Sequence, residues 1–240
     1  MKKTILITSL IFISFFTQSQ VLITLLFGDK LNSDGLEFGL EGGINMSTIS
    51  GLETHKYLNT FNLGFYFDIR IKNKWSVYTG VLVKSNLGVN KLTDNDIKSL
   101  DVQMYKDINN KNLDGTYSHK MNYFLVPVFL KYKFKNHIYI ETGPQFGLMY
   151  RSWIEFNADI DGKDGILKDY NKDDINRIDA GVALGIGYKL LKGTGWTIGI
   201  KYYYGFVDVY KKISNSKNSS LFIKLNIPVG AGKKNPKSKK

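Results

Sequence analysis

Hydrophobic and polar residues alternate strictly along much of the chain. In the segment TFNLGFYFDIRI, residues 60–71, every second residue from Phe61 onward is apolar, and polar residues or glycine fill the gaps. Successive side chains of a strand point to opposite faces, so this period of two predicts one strand with an apolar and a polar face. In a soluble protein the apolar face would form the core, whereas in an outer membrane it would face lipid.

The same period returns along the chain and predicts eight strands. They cover residues 36–47, 60–71, 75–89, 122–134, 137–150, 178–188, 196–206 and 220–227. Short turns follow the second, fourth and sixth strands and longer polar loops follow the others; the longest loops are residues 90–118 and 151–177. A meander with short turns at one end and long loops at the other is typical of a transmembrane β-barrel, with both termini on the periplasmic side.

The composition of the polar face indicates which side it occupies. It is rich in glycine and carries Tyr66, Tyr78 and Tyr203, whereas a solvated sheet surface favours Thr, Lys and Glu. The lumen of an eight-stranded barrel has room for side chains and little else, which suits this composition. The apolar face is therefore predicted to face lipid. The predicted fold class is all-β, an eight-stranded antiparallel up-and-down transmembrane β-barrel.

Charges of both signs lie on the predicted lumen face in nearly equal numbers. Because an unpaired buried charge is very costly, we expect these residues to form a salt-bridged plug; the alternative is that they line an ion path. The predicted lumen charge network consists of Glu41, Asp68, Arg70, Lys84, Lys131, Glu141, Asp179, Lys201 and Lys224.

Aromatic residues cluster near both ends of the predicted strands. Two aromatic girdles are expected where strands cross the membrane interfaces. Pro127 and Pro144 lie inside strands, where each removes a backbone donor, so a bulge is predicted at each. The predicted interfacial aromatics are Trp75, Tyr132, Tyr150, Tyr188, Trp196 and Tyr204.

The N-terminus has the order of a secretory signal peptide. Lys2 and Lys3 precede an apolar run over residues 4–16 and a polar patch that ends at Gln20, so cleavage is predicted near Gln20. Apolar residues continue over 21–27, which leaves one uncleaved membrane helix as the alternative. The predicted organisation is a signal peptide over 1–20, a short segment over 21–35, a barrel over 36–229 and a basic disordered tail over 230–240.

Composition removes several functional classes. The chain of 240 residues has no cysteine, which excludes disulfides, cysteine-ligated metals and cysteine nucleophiles. More than half of the formal charge of +12 comes from lysines at the two ends, so the body is only mildly basic and no nucleic-acid partner is predicted. The basic tail suits anionic lipid headgroups or peptidoglycan as well as simple solvation.

Two segments carry weak patterns for chemistry. Residues 157–168 resemble a calcium loop, but Lys168 stands where a bidentate glutamate is needed, so a plain surface loop is favoured. His119 with Ser118 would suit a hydrolase or acyltransferase at the outer rim, but adjacent strand residues point to opposite faces. No catalytic residue, metal or cofactor is therefore predicted.

Several segments resemble a known family. NYFLVPVFLKYKF, IYIETGPQFGLMY, DAGVALGIGY and IGIKYYYGFVDV follow FGLEGGINMS in this order, and together they resemble the PorT-like outer-membrane β-barrel family of Bacteroidota. The resemblance spans residues 36–229. It implies the barrel architecture and the outer membrane, and implies no activity, since most members have none assigned and a few assist secretion. The chain departs from the family pattern by running through Pro228 into a basic tail.

The predicted role is therefore non-catalytic and structural or interactive. Lipid of the outer membrane would surround the barrel, and loops 90–118 and 151–177 would bind an extracellular or envelope protein. Three alternatives stay open: a lipid-modifying enzyme centred on His119, a small-solute pore, and a soluble lipocalin-like barrel with the charged face in water.

Overall fold

The computed structural model describes residues 35–106, 113–160, 163–193 and 195–229. Helix α1 is Asp94–Ser99; a 3₁₀ helix lies at Lys172–Asp174 and a helical turn at Leu190–Gly193. None of the helices in these described ranges is long and apolar enough to cross a membrane. The strands are β1 (Leu36–Ile49), β2 (Lys56–Lys72), β3 (Trp75–Asn90), β4 (Thr116–Lys133), β5 (Ile138–Ile160), β6 (Lys163–Tyr170), β7 (Ile178–Lys189), β8 (Thr197–Asp208) and β9 (Lys217–Pro228).

Eight of these strands form a closed antiparallel ring. Strands β1 to β5 pair in chain order, β5 pairs with β7, and β7, β8 and β9 lead back to β1. Strand β6 pairs with the distal part of β5 and lies outside the ring. The predicted eight-stranded up-and-down barrel is confirmed. All eight predicted strands are present, and most of them continue further than predicted toward the long-loop end.

The two faces of the strands differ in burial as the alternation requires. On β2 the side chains of Asn62, Tyr66 and Asp68 are buried, whereas Phe61 and Leu63 are exposed. The exposed apolar side chains continue around the ring and form one band, which includes Phe124, Val128, Leu130, Ile140, Phe146, Leu148, Leu184, Ile186, Ile198, Ile200 and Ile223. The glycine-rich, charged face is therefore the lumen, and the apolar band is the surface that meets lipid.

Glycine on the lumen face permits close approach between neighbouring strands. A Cβ atom on Gly64 of β2 would collide with the carbonyl oxygen of Val81 on β3. On β7, a Cβ atom on Gly187 would collide with the ring of Tyr139. Lumen glycines therefore make room for backbone and for tyrosine rings, which is the crowding that the composition predicted.

The predicted bulges at Pro127 and Pro144 are wrong. Pro127 pairs with Gln145, and Pro144 pairs with Val182, without a shift in register. Pairing between β4 and β5 lapses just after Pro127 and resumes in the same register at Leu130. The missing donors are thus accommodated as a gap in the ladder. Register shifts occur elsewhere: one lies beside the β2–β3 turn between Arg70 and Lys72, and others lie toward the long-loop end, including one in β3 and one where β5 passes Tyr150.

The predicted loop over residues 151–177 is largely strand. Strand β5 continues to Ile160 and returns as β6, which makes a hairpin beyond the barrel. Residues 1–34, 107–112, 161–162, 194 and 230–240 lie outside the described residues, and with them the predicted signal peptide, nearly all of the 21–35 segment and the basic tail. The calcium-like segment spans the tip of the hairpin, and in the part that is described no cluster of three metal-binding side chains is found.

Candidate functional site

Ion pairs span the lumen between strands that are not neighbours. Asp68 of β2 lies 3.1 Å from Lys131 Nζ and 2.9 Å from Lys133 Nζ, both on β4. Glu141 of β5 lies 2.5 Å from Lys224 Nζ of β9. The Asp68 pairs bridge β3, and the Glu141–Lys224 pair bridges β7 and β8, so these contacts join strands that share no backbone pairing.

The other buried charges of the lumen contact neutral polar groups. Tyr78 donates a hydrogen bond to the Glu41 carboxylate. Lys201 Nζ donates to Gln145 Oε1 at 3.0 Å, and Asn218 Nδ2 donates to Asp179 Oδ2 at 2.9 Å. The members of the predicted network that are buried in the lumen are Glu41, Asp68, Lys131, Glu141, Asp179, Lys201 and Lys224.

An aromatic layer crosses the lumen at the level of these charges. The Tyr78 ring stacks between Tyr66 and Phe129, with centroid distances of 5.5 and 6.2 Å. Lys201 Nζ lies 5.3 Å from the centroid of Phe129 and 4.5 Å from that of Phe222. Such cation–π contacts are favourable where the cation is desolvated. The layer connects β2, β3 and β4 through Lys201 of β8 to Phe222 of β9, so it fills the lumen from wall to wall.

Lys84 does not belong to the lumen network. The register shift between Leu82 and Ser85 changes the alternation of β3, so that Lys84 is exposed and pairs with the outward-facing Leu63. The strict period of two placed it on the lumen face, because a bulge leaves no clear signal in the sequence.

Arg70 lies at the short-turn mouth of the barrel and is exposed. It lines a recess of 610 Å³ together with Asp68, Lys133 and Lys189. Lys189 in turn forms an ion pair with Glu37. Arg70 lies on the same face of β2 as Asp68, as the alternation predicts. Its position near the end of the strand, however, leaves its side chain in water and outside the buried network.

The predicted interfacial aromatics lie on the outward face. At the short-turn end, Trp75 contacts Tyr132 edge-on with centroids 4.8 Å apart. At the long-loop end, Tyr150 stacks on Phe124 at 4.7 Å. Tyr188, Trp196 and Tyr204 are also exposed, near the ends of their strands. This is the placement expected of residues that sit among lipid headgroups.

A buried hydrogen-bond network lies at the long-loop end, beyond the apolar band. His119 Nδ1 lies 2.7 Å from Tyr210 Oη, and His119 Nε2 lies 2.8 Å from Ser152 Oγ. Ser152 Oγ donates to Asn171 Oδ1 at 2.7 Å. Because the serine proton goes to the amide oxygen, Ser152 accepts from His119 Nε2–H, and Tyr210 donates to Nδ1. Burial raises the pKa of the Tyr210 phenol, which keeps that proton in place.

The structure pairs His119 with Ser152, which the sequence reasoning did not find. Ser118 instead donates to Asn90 Oδ1 at 2.6 Å. A nucleophilic serine donates its proton to the histidine, and a carboxylate orients the ring from behind. Here the serine proton points elsewhere and Tyr210 takes the place of the carboxylate. The geometry is that of a clamp joining β4 and β5 to the segments that follow β6 and β8.

A second group of contacts orders the loops at the same end. Asp96 of α1 accepts the backbone N–H groups of Glu53 and Thr54 at 2.7 and 3.1 Å, so it joins the first and second long loops. Tyr105 packs on Phe156 of the β5 extension, with centroids 5.2 Å apart. The loop segments and the hairpin therefore form one packed surface above the barrel.

The β5–β6 hairpin presents an exposed strand edge. In the described part of the chain β6 has backbone pairs with β5 alone, so its other edge has no backbone partner. Ile166, Leu167 and Tyr170 are 57%, 45% and 63% exposed. An exposed edge strand with apolar side chains is a template for another strand to pair with.

Comparison with known proteins relates the chain to outer-membrane barrels. A family model described as outer membrane protein beta-barrel domain matches residues 18–211. No curated protein matches the chain.

Three solved structures are similar over most of the chain. Ail, the attachment invasion locus protein of Yersinia pestis in complex with the heparin analogue sucrose octasulfate, shares 11% identity, with 82% of this chain and 99% of that chain covered and a TM-score of 0.44. Neisserial surface protein A shares 11% identity, with 81% of this chain and 97% of that chain covered and a TM-score of 0.40. The outer membrane protein OprG from Pseudomonas aeruginosa shares 12% identity, with 81% of this chain and 93% of that chain covered and a TM-score of 0.33.

Proposed function

We propose that this chain, which belongs to the outer membrane protein beta-barrel domain family, is a non-catalytic and non-conducting protein of the bacterial outer membrane. Its role is to hold the packed surface at the long-loop end in place, so that this surface binds an extracellular or envelope protein. The observation that carries the proposal is the aromatic layer of the lumen with its ion pairs.

The filled lumen favours a scaffold over a pore. A permeating solute would have to displace Lys201 from between Phe129 and Phe222 and separate Glu141 from Lys224. Breaking a buried ion pair is strongly unfavourable, because one charge is left without its partner. The same contacts cross-link opposite walls, which makes the barrel a rigid base for the loops.

The hairpin and its neighbouring loops are the proposed contact surface for a protein partner. The free edge of β6 and the exposed Ile166, Leu167 and Tyr170 favour pairing with an extended segment of that partner. The His119 clamp and Asp96 support this surface from below.

Finer assignments rest on the sequence alone. We propose that the chain is exported by a signal peptide cleaved near Gln20, and that it belongs to the PorT-like branch, on the segments quoted above. A few members of that branch assist secretion, so we propose a partner in an envelope secretion complex as one candidate.

Planar-bilayer recording of the purified protein tests the closed lumen. The wild type is expected to give no stepwise conductance, while the double variant Tyr78→Ala/Phe129→Ala, which removes most of the aromatic layer, is expected to conduct. The double variant shows that the assay detects an open barrel. Stepwise conductance of the wild type would contradict the proposal and favour the small-solute pore.

Photo-crosslinking in intact cells tests the contact surface. A photoreactive residue at Ile166 is expected to form a protein adduct, while one at Tyr57, equally exposed on β2 at the same end, serves as the control. Adducts of equal yield at both positions, or at neither, would count against the hairpin as the contact surface.

A further inference from the structure

Cations and aromatic rings gather on the outward face just beyond the apolar band. On β4, Phe124 is the last apolar outward residue, and Asn122 and Lys120 come next toward the long loops. The ladder places Arg151 opposite Asn122 and Trp153 opposite Lys120. This is the height at which lipid headgroups of the outer leaflet meet the barrel.

Strand β6 completes this surface. Tyr170 pairs with Trp153, and Lys168 pairs with Glu155, so both side chains lie on the outward face. We name Lys120, Arg151, Trp153, Lys168 and Tyr170 the basic-aromatic patch.

Glu155 holds the patch in a fixed arrangement. Its carboxylate, largely buried, lies 2.5 Å from Lys120 Nζ and 3.9 Å from Lys168 Nζ, and it accepts Trp153 Nε1–H at 3.1 Å. Lys168 Nζ lies 5.5 Å from the centroid of the Trp153 ring. One carboxylate thus orients two lysines and the indole, and leaves donors of both ammonium groups available to a ligand.

The patch carries more positive than negative charge. Lys120, Arg151 and Lys168 face the single carboxylate of Glu155. Arg151 is exposed, and across the described residues no hydrogen bond or ion pair is found for its side chain. Asp169 pairs with Ile154, whose side chain faces the barrel interior, so Asp169 lies on the other face of the hairpin.

We propose that the basic-aromatic patch binds the phosphate-bearing sugar headgroup of a glycolipid of the outer leaflet. Arg151 and the two lysines bind the phosphates, since a guanidinium matches phosphate oxygens in a bidentate geometry. Tyr170, which is 63% exposed, covers an adjacent sugar ring, while the buried Trp153 supports Tyr170 and Lys168 from beneath. The bound lipid would then fix the hairpin relative to the membrane. The patch shares Tyr170 of β6 with the proposed protein contact, but its three cations are not part of that contact, so lipid binding is tested independently of it.

Binding of diphosphoryl lipid A to the full-length barrel in detergent micelles tests the proposal. The patch variant is Lys120→Gln/Arg151→Gln/Lys168→Gln. The matched control is Lys72→Gln/Lys74→Gln/Lys135→Gln, which removes the same charge from exposed positions at the opposite rim. We expect the patch variant to weaken binding by about tenfold or more and the control by less than about twofold. A mobility shift on boiling first establishes that each variant is folded. If the triple variant does not fold, Arg151→Gln alone replaces it, because that change leaves the Glu155 contacts in place.

Three results would overturn the assignment. Equal weakening in patch and control variants would reduce it to general charge attraction. Dephosphorylated lipid A that binds as tightly as the diphosphoryl form would exclude phosphate recognition. Pyrophosphate that displaces the lipid at equal concentration would point to a free anion in place of a lipid. None of these results bears on conductance or crosslinking, so the proposed function is tested independently of lipid binding.

Discussion

Removal of the Glu141 carboxylate is the sharpest test of the lumen network. In Glu141→Gln, Lys224 keeps its charge inside the lumen but loses the partner at 2.5 Å. Lys224 Nζ then lies 4.1 and 5.7 Å from the ring centroids of Tyr78 and Tyr139, with the Glu41 carboxylate, already bonded to Tyr78, as a remaining opposite charge nearby. The variant should therefore be much less stable while keeping the same fold.

The magnitude follows from the geometry of the pair. At an effective dielectric constant of about 20, two unit charges 2.5 Å apart attract each other by about 7 kcal/mol. Part of that is offset by the cost of desolvating the carboxylate, and breaking a buried pair costs about 3–5 kcal/mol. We therefore expect the free energy of unfolding to fall by about 3–5 kcal/mol in Glu141→Gln. The double variant Glu141→Leu/Lys224→Met, which leaves no charge behind, should recover most of that loss.

Urea-induced unfolding in lipid vesicles, followed by tryptophan fluorescence, measures these differences. The control is Asp174→Asn, which breaks the exposed Lys212–Asp174 pair at 3.8 Å and should cost less than about 1 kcal/mol. The reasoning is refuted if Glu141→Gln costs no more than the control. It is equally refuted if the double variant is no more stable than the single one.

Other substitutions test the packing, the clamp and the accessibility of the lumen. Gly64→Ala should cost about 1–3 kcal/mol in the same assay, because its Cβ would collide with backbone; Gly42→Ala, with its nearest atoms at 3.9 Å, is the neutral control. His119→Ala should cost about 2–4 kcal/mol and speed proteolysis of the long-loop end, because Tyr210 and Ser152 lose their partner; loss of a lipid-modifying activity in a folded variant would instead favour the enzyme. Since the chain has no cysteine, Arg70→Cys should react with a water-soluble thiol reagent while Lys201→Cys reacts only after unfolding, and equal reaction would contradict the filled lumen.

The alternation along the chain was sufficient to predict the fold and most of the residues that face the lumen. A barrel strand has one face in lipid and one in the lumen, so the face on which a residue lies follows from its odd or even position along the strand. That is why Glu41 and Lys201 could be placed inside from the sequence, and why both are buried. The outward position of Trp75 and Tyr204 follows from the same rule.

The odd-or-even rule gives the wrong face beyond a register shift in the strand pairing. The shift in β3 turns Lys84 outward, and the shift near Tyr150 brings Ser152 inward to His119. A bulge depends on how two strands pair, so one strand's sequence does not reveal it. For the same reason the bulges predicted at Pro127 and Pro144 are wrong, because both prolines pair without a shift in register.

The sequence by itself determined which side chains enter the lumen, because a period of two is a local property of the backbone. Only the tertiary structure decided which of them meet. Lys224 reaches Glu141 across two intervening strands, and Lys201 lies between rings from opposite walls. These contacts depend on the closure and stagger of the ring, which bring together residues far apart in the chain.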